Sequence, residues 1–315
     1  MLNRRYLRIK ILQSLYAYYQ AGDNEVNKHE NDLFQSVDKI YQLYILLLLT
    51  IPELNRIALD QLEKKKNKIL PSKEDLEPNT KWVNNLYVKK IVASKKLFSA
   101  SEKLKLNWFG VENQVLLRKV FKEIKNSETY FEFMHNEELG FEEDKSFVVA
   151  LFKNEIANSS YLQHFFEEKN IHWMDDLDHA CSMVLKTIKA VNEKDDFSIL
   201  PLYKDENEEK AFISTLYRKT IQNDRETEVM IESLTKNWEL DRIAKLDIIL
   251  LKMGVTELME FSEIPTKVTL NEIIEIAKYY STPKSSNFIN GILDKAIDEL
   301  KSSKLLLKSG RGLIK

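Results

Sequence analysis

The sequence predicts an all-α protein, and three observations carry the prediction. Seven glycines and six prolines in 315 residues are about 4%, against the roughly 12% usual for the pair. That is too few turn-formers for many hairpins or Gly-rich loops. Apolar residues recur at helical spacing in segment after segment. No stretch alternates convincingly at a period of two. The 43% hydrophobic content supports a real core, and the length suggests roughly two domains.

Taken in order, residues 3–20 form a first helix, with Leu7, Ile11 and Leu15 on one side. A second long pattern covers 32–68, with Leu33, Val37, Ile40, Tyr44 and Leu48, and Pro52 is expected to kink or divide it. Residues 71–79 carry two prolines and read as a loop. Helical stretches follow at 85–108, 113–134, 145–168 and 174–191. The polar segment 195–209, with Pro201, is the best candidate boundary. Beyond it, 205–235 and 240–261 read as helices. Thr269-Leu270-Asn271-Glu272 reads as a capping box opening a helix through Tyr280. Pro283 precedes a last helix carrying Phe288, Ile292, Ala296 and Leu300. The chain is thus divided into an N-terminal helical region, 1–204, a C-terminal bundle, 205–300, and a basic, flexible tail, 301–315.

The net charge of −2 makes a polycation untenable, so a nucleic-acid site must come from local clustering. The single cysteine, Cys181, excludes an intrachain disulfide and a multi-cysteine zinc site, and fits a reducing compartment. Arg4-Arg5 faintly resembles an export signal, but Lys10, Gln13 and Ser14 interrupt the apolar stretch that export needs. The apolar run within 41–51 is shorter than a bilayer span and reads as a buried helix. A cytoplasmic protein is expected.

Enzyme signatures are poor. His172, Asp175, Asp176, Asp178, His179 and Cys181 are crowded, but no spacing matches a metal-ligand motif. No Gly-rich phosphate loop or nucleophile elbow is present. The expectation is a non-enzyme without metal or cofactor. Lys64-Lys65-Lys66 reads as a solvated helix end, and Lys301, Lys304, Lys308, Arg311 and Lys315 as a basic tail.

The N-terminus is physically the most informative stretch. Arg4, Arg5, Arg8 and Lys10 occupy the first turns of the first helix, with no acidic residue before Asp23. The macrodipole is positive there, so each cation costs about 0.3–1 kcal/mol unless an anion binds. A helical projection puts Arg4 and Arg8 on the same side as Ile11 and Leu15. Tyr6, Tyr16, Tyr18 and Tyr19 on the same helix read mostly as core, with base stacking as the alternative. Gly291 stands inside a strong helical pattern, at about 1 kcal/mol against alanine, and the expected gain is close approach of a neighbouring helix.

Arg4-Arg5-x-x-Arg8 followed by Gln13-Ser14-Leu15-Tyr16 resembles the opening helix of the NusB family of bacterial transcription antitermination factors. Asn237-Trp238-x-Leu240-x-Arg242-Ile243-Ala244, Asp247, Glu257-Leu258, Ile264-Pro265-x-Lys267-Val268, Asn271-Glu272 and Phe288-Ile289-Asn290-Gly291-Ile292-Leu293-Asp294 continue the pattern in order. The likeness covers about 1–20 and 205–300, which implies a long form with an enlarged helical middle, 21–204. It implies NusB-like helical bundles, no catalysis, and binding to the boxA element of ribosomal RNA leader transcripts together with the ribosomal protein NusE. NusA, NusG and RNA polymerase are the implied larger assembly. Arg4, Arg5, Arg8, Tyr16 and Phe288 fall at RNA-facing positions of the family, and Asp247 at an acidic position facing NusE. Lys284 stands where a familiar member has an acidic residue, which implies a direct phosphate contact. Two rivals remain: a helical scaffold that binds only protein, and an RNA-binding module related to ribosomal RNA cytosine methyltransferases. The second lacks the catalytic domain and cysteines its class needs.

Overall fold

The computed structural model describes residues 2–235, 243–306 and 308. Among them no strand occurs, and the fold is all-α. The chain divides into two compact units, Met1–Val37 with Tyr203–Lys315, and Asp38–Leu202. The sequence reading sets its boundaries at 204/205 and 300/301, whereas the structural units divide at 202/203 and after 37. The reason is the apolar side of the first helix, α1 (Arg4–Ala21). It is covered by helices from the far end of the chain, leaving Leu7, Ile11 and Leu15 fully buried.

In the first unit Asn3 caps α1, its side chain accepting from the Tyr6 amide at 2.8 Å. Gly22, in the left-handed region, ends it. Helix α2 (Val26–Lys66) begins in this unit and continues into the second. Pro52 lies inside α2 and does not divide it. Its length and hydropathy reach those of a bilayer-spanning helix, yet most of its apolar window is buried in the structure.

The second unit adds α3 (Lys73–Leu76), α4 (Lys81–Asn84), α5 (Leu86–Val92), α6 (Lys95–Leu104), α7 (Val111–Lys125), α8 (Glu128–His135) and α9 (Phe141–Leu151). A π-helical turn, Phe152–Ile156, leads to α10 (Ser160–Lys169), and α11 (Leu177–Ala190) follows. Three stretches expected as single helices are each broken. Ser94 and Ser127 accept from the amides of Leu97 and Tyr130, capping new helices where periodicity alone ran on. The unit is built on aromatic contacts. Phe133 stacks on Phe147 at 3.8 Å, and Trp82 meets Phe147 edge-on at 5.4 Å.

The first unit resumes with α12 (Glu206–Gln222), α13 (Asp224–Leu234), α14 (Lys245–Glu260), α15 (Thr266–Tyr280) and α16 (Ser285–Ser302). Helix α14 packs against α12, α13, α15 and α16, and α1 lies against α12 and α14. The expected capping box at Thr269 is not formed. α15 begins three residues earlier, after Pro265, and Thr269 spends its hydroxyl on Glu257.

The glycine expectation is also corrected. A Cβ at Gly291 would meet nothing within 4 Å, and the residue is exposed. The close approach lies at Gly254 in α14, where a Cβ would stand 3.0 Å and 3.2 Å from the two methyls of Leu293 in α16. The apolar stripe of α16 puts Leu293 inward and turns Gly291 outward.

Candidate nucleic-acid interface

Carboxylates of the same unit already partner three of the four early cations. The first three are met by carboxylates from α12, α14 and α15. Arg4 pairs with Glu208. Arg5 donates from Nε and Nη2 to the two Glu272 oxygens at 2.7 Å and 2.9 Å. Arg8 does the same to Glu257 at 2.6 Å and 2.7 Å. These fork-on-fork pairs offset the macrodipole cost that the sequence posed. Lys10 is buried, its ammonium 5.8 Å from the Tyr6 ring centroid.

Exposure separates the three arginines. The side chains of Arg4 and Arg5 are 30% and 43% exposed, whereas Arg8 is 2% and its partner Glu257 0%. Thr269 also donates to Glu257, at 2.7 Å, and the Arg8 guanidinium lies 5.2 Å from the Phe212 ring centroid. Arg8 therefore joins α1 to α14 and is almost wholly buried, touching solvent only at the floor of a groove that Glu263 and Glu272 also line. A buried pair of this kind stands only when its remaining hydrogen-bonding capacity is met. Arg4 and Arg5 open onto a groove of about 460 Å³, shared with Ile264, Pro265 and Val268. Glu272 raises the Arg5 pKa by hydrogen bonding, so the guanidinium stays charged.

The tyrosines divide in the same way. Tyr6 and Tyr18 are buried, as the core reading expects. Tyr16 is 38% exposed, and its hydroxyl accepts from Gln20 at 2.9 Å. It lines a groove of about 340 Å³ with Tyr19, Ile248 and Ile249. There Lys252 bridges Asp224 at 2.8 Å and Glu228 at 2.7 Å. Burial, followed by the hydrogen bond to Asp224, pushes the Tyr19 hydroxyl pKa far up.

Lys284 is exposed at the N-cap of α16, with no ion pair among the described residues. Phe288, one turn on and half-buried, shares its side of the helix. Asp247, in the first turn of α14, is buried. One of its oxygens accepts from Ser281, and the other from Ser285 at 2.6 Å. Its carboxylate thus ties the start of α14 to the turn between α15 and α16, immediately beside Lys284. Sequence reasoning missed this clamp and the partners Glu208, Glu257, Glu272 and Thr269. Lys308, expected in a flexible tail, donates to the carbonyl oxygen of Phe261 at 2.8 Å. The motif residues Asn237, Trp238, Leu240 and Arg242, and Arg311 and Lys315 of the tail, lie outside the described residues.

A family model described as the NusB family matches residues 179–298. A transcription antitermination protein NusB from Salinibacter ruber is 41% identical over 144 residues, covering 43% of this chain and 89% of the relative. One from Chloroherpeton thalassium is 46% identical over 105 residues, 33% of this chain and 50% of the relative. Another, from Listeria monocytogenes, is 42% identical over 88 residues, 28% and 69% respectively. No solved structure matches. With its α1 and α12–α16 bundle and a relative so fully covered at that identity, the chain belongs to the NusB family of transcription antitermination proteins.

Proposed function

We propose that the chain is a cytoplasmic, non-enzymatic antitermination factor that binds boxA-type RNA of ribosomal RNA leader transcripts together with the ribosomal protein NusE. NusA, NusG and RNA polymerase complete the assembly. The observation that carries this reading is the pair Arg4 and Arg5, partly exposed at the positive end of α1 and opening on a groove. Arginines at such an end suit phosphate recognition. Lys284 supplies a further phosphate contact, and Phe288 and Tyr16 stack on unpaired bases. Arg8 acts from inside, fixing the start of α1 through Glu257. Asp247 serves NusE docking by holding the α15–α16 turn through Ser281 and Ser285.

A second reading, a scaffold that binds only protein, is favoured by one observation: all three arginines already have carboxylate partners in the chain. Fluorescence anisotropy with a boxA-type RNA, titrated with salt, decides between them. Arg4→Ala with Arg5→Ala removes two phosphate contacts and flattens the salt slope by about 1.4 units for a single strand. An unchanged slope and affinity refutes the RNA interface and supports the scaffold. Repeating the titration with NusE separates RNA affinity from partner affinity.

A further inference from the structure

Helix α15 carries Val268, Glu272, Glu275 and Tyr279 along one face, at spacings of i, i+4, i+7 and i+11. Ile273 and Ala277, on the other side of the helix, are fully buried. Val268 and Glu272 line the groove onto which Arg4 and Arg5 open. Tyr279 ends the row. It is 81% exposed, against 38% for Tyr16, and is the most exposed aromatic side chain among the described residues. Among those residues no hydrogen bond or ring contact holds it.

A single exposed apolar side chain is ordinary on a protein surface. What sets Tyr279 apart is its position. Hydrogen bonding to Glu272 raises the Arg5 pKa first, and the nearby Glu275 and Tyr279 groups add to it, so the phenol stands within electrostatic reach of the guanidinium. On its other side Tyr279 precedes the turn that Asp247 clamps through Ser281 and Ser285, and Lys284 lies in that turn. The ring thus stands between Arg5 and Lys284. The two carboxylates of the row are already engaged, Glu272 by Arg5 and Glu275 by Lys278. A phosphodiester strand on this face therefore meets compensated charge instead of bare acids.

A phenol ring left in water gains by stacking on an unpaired base, and every base has a π-face to offer. Phe288 is half-buried and Tyr16 mostly covered, so each presents less ring than Tyr279. We propose that Tyr279 is a stacking platform of the RNA interface, taking an unpaired base from the nucleotides between the phosphate held at Arg5 and the one held at Lys284. The inference rests on the RNA reading above and adds to it a residue and a path along the outer face of α15. Stacking is tolerant of sequence, so Tyr279 supplies affinity and not base choice.

The test uses the full chain and boxA-type RNAs that each carry 2-aminopurine at one position, read by anisotropy and by 2-aminopurine emission. The parent binds and quenches the stacked position. Tyr279→Ala restores that emission in the complex and weakens affinity about 5- to 100-fold. Its melting temperature and salt slope hold, because the ring is exposed and carries no charge. Tyr279→Phe keeps the ring and binds as the parent does. Unchanged affinity and quenching in Tyr279→Ala, with the parent still binding, overturn this proposal alone. Tyr279→Phe as weak as Tyr279→Ala overturns it too, because the hydroxyl and not the ring would then make the contact. A loss confined to NusE affinity assigns the ring to a protein partner and likewise overturns it. A parent that does not bind boxA-type RNA refutes the RNA reading itself, and this inference with it.

Discussion

Two glycines in the C-terminal bundle should respond to the same substitution with opposite sign. Gly291 is exposed in the middle of α16, and a Cβ there has open space. Gly291→Ala therefore recovers helix propensity alone, about 1 kcal/mol. For a unit of this size that raises the melting temperature by about 2–4 °C. At Gly254 the same propensity gain is opposed by contact at 3.0 Å and 3.2 Å with the Leu293 methyls, and at 3.5 Å with Ile273. Leu293 and Ile273 are both fully buried, so the methyls have little room to withdraw. Overpacking of this kind costs about 1–3 kcal/mol, leaving Gly254→Ala neutral to about 2 kcal/mol less stable. Urea melts of the two variants and the parent, followed by tryptophan fluorescence and by circular dichroism, measure both signs. A destabilised Gly291→Ala would show that α16 meets a neighbour at that face. A stabilised Gly254→Ala would refute the close α14–α16 approach.

Four more expectations follow from the geometry. Arg8→Ala takes the guanidinium fork from the buried Glu257 and leaves it only the Thr269 hydroxyl, so it should cost about 3–5 kcal/mol in a urea melt; a cost under about 1 kcal/mol would place the pair in solvent. Glu272→Gln releases Arg5 from its bidentate partner, so the affinity for boxA-type RNA should rise at low salt, and a fall would mean that Glu272 itself contacts the RNA. Asp247→Ala strips Ser281 and Ser285 of their acceptor and should cost about 1–3 kcal/mol, whereas isothermal titration of Asp247→Lys with NusE, at normal affinity and with an intact fold, would remove Asp247 from the partner surface. Burial pushes the Cys181 thiol up to about 12, so it should resist alkylation at pH 8 when folded and react after urea; because the unfolded thiol ionises first, this group makes stability fall as pH rises above about 9.

Much of the fold was legible because helical periodicity is local. The apolar side of α1, with Leu7, Ile11 and Leu15, and the long apolar face of α2 are written within a few turns of sequence. What was lost was also local in part: Ser94 and Ser127 read as ordinary helical residues, although each caps a new helix. The larger loss is long-range. Arg8 and Glu257 stand 249 positions apart and Arg5 and Glu272 267 apart, so no window of sequence holds both partners. The basic N-terminus therefore looked uncompensated. Gly291 was conspicuous beside Asn290, whereas Gly254, inside a continuous apolar run, was not, and only packing shows which one a neighbour touches.

The arginine pairs also bear on how the N-terminus would work. A bidentate carboxylate occupies the guanidinium fork much as a phosphate does. Arg5 is thus held in a geometry ready for phosphate, whereas Arg4 meets Glu208 through one nitrogen only, and both pairs are exposed enough to be worth only about 0–1 kcal/mol each. Exchange of Glu208 and Glu272 for RNA phosphates is therefore cheap. The Arg8–Glu257 pair does not exchange, because opening it would strand two charges in the core. The proposed interface accordingly has a fixed layer under an exchangeable one, and salt dependence counts only the second. Arg8→Lys, which keeps the charge and loses the fork, should lower stability and leave the salt slope of RNA binding unchanged. Arg4→Ala with Arg5→Ala should do the reverse. A salt slope that falls in Arg8→Lys by a full phosphate contact, about 0.7 units, would mean that Arg8 leaves the core to reach RNA and that the layers are not distinct.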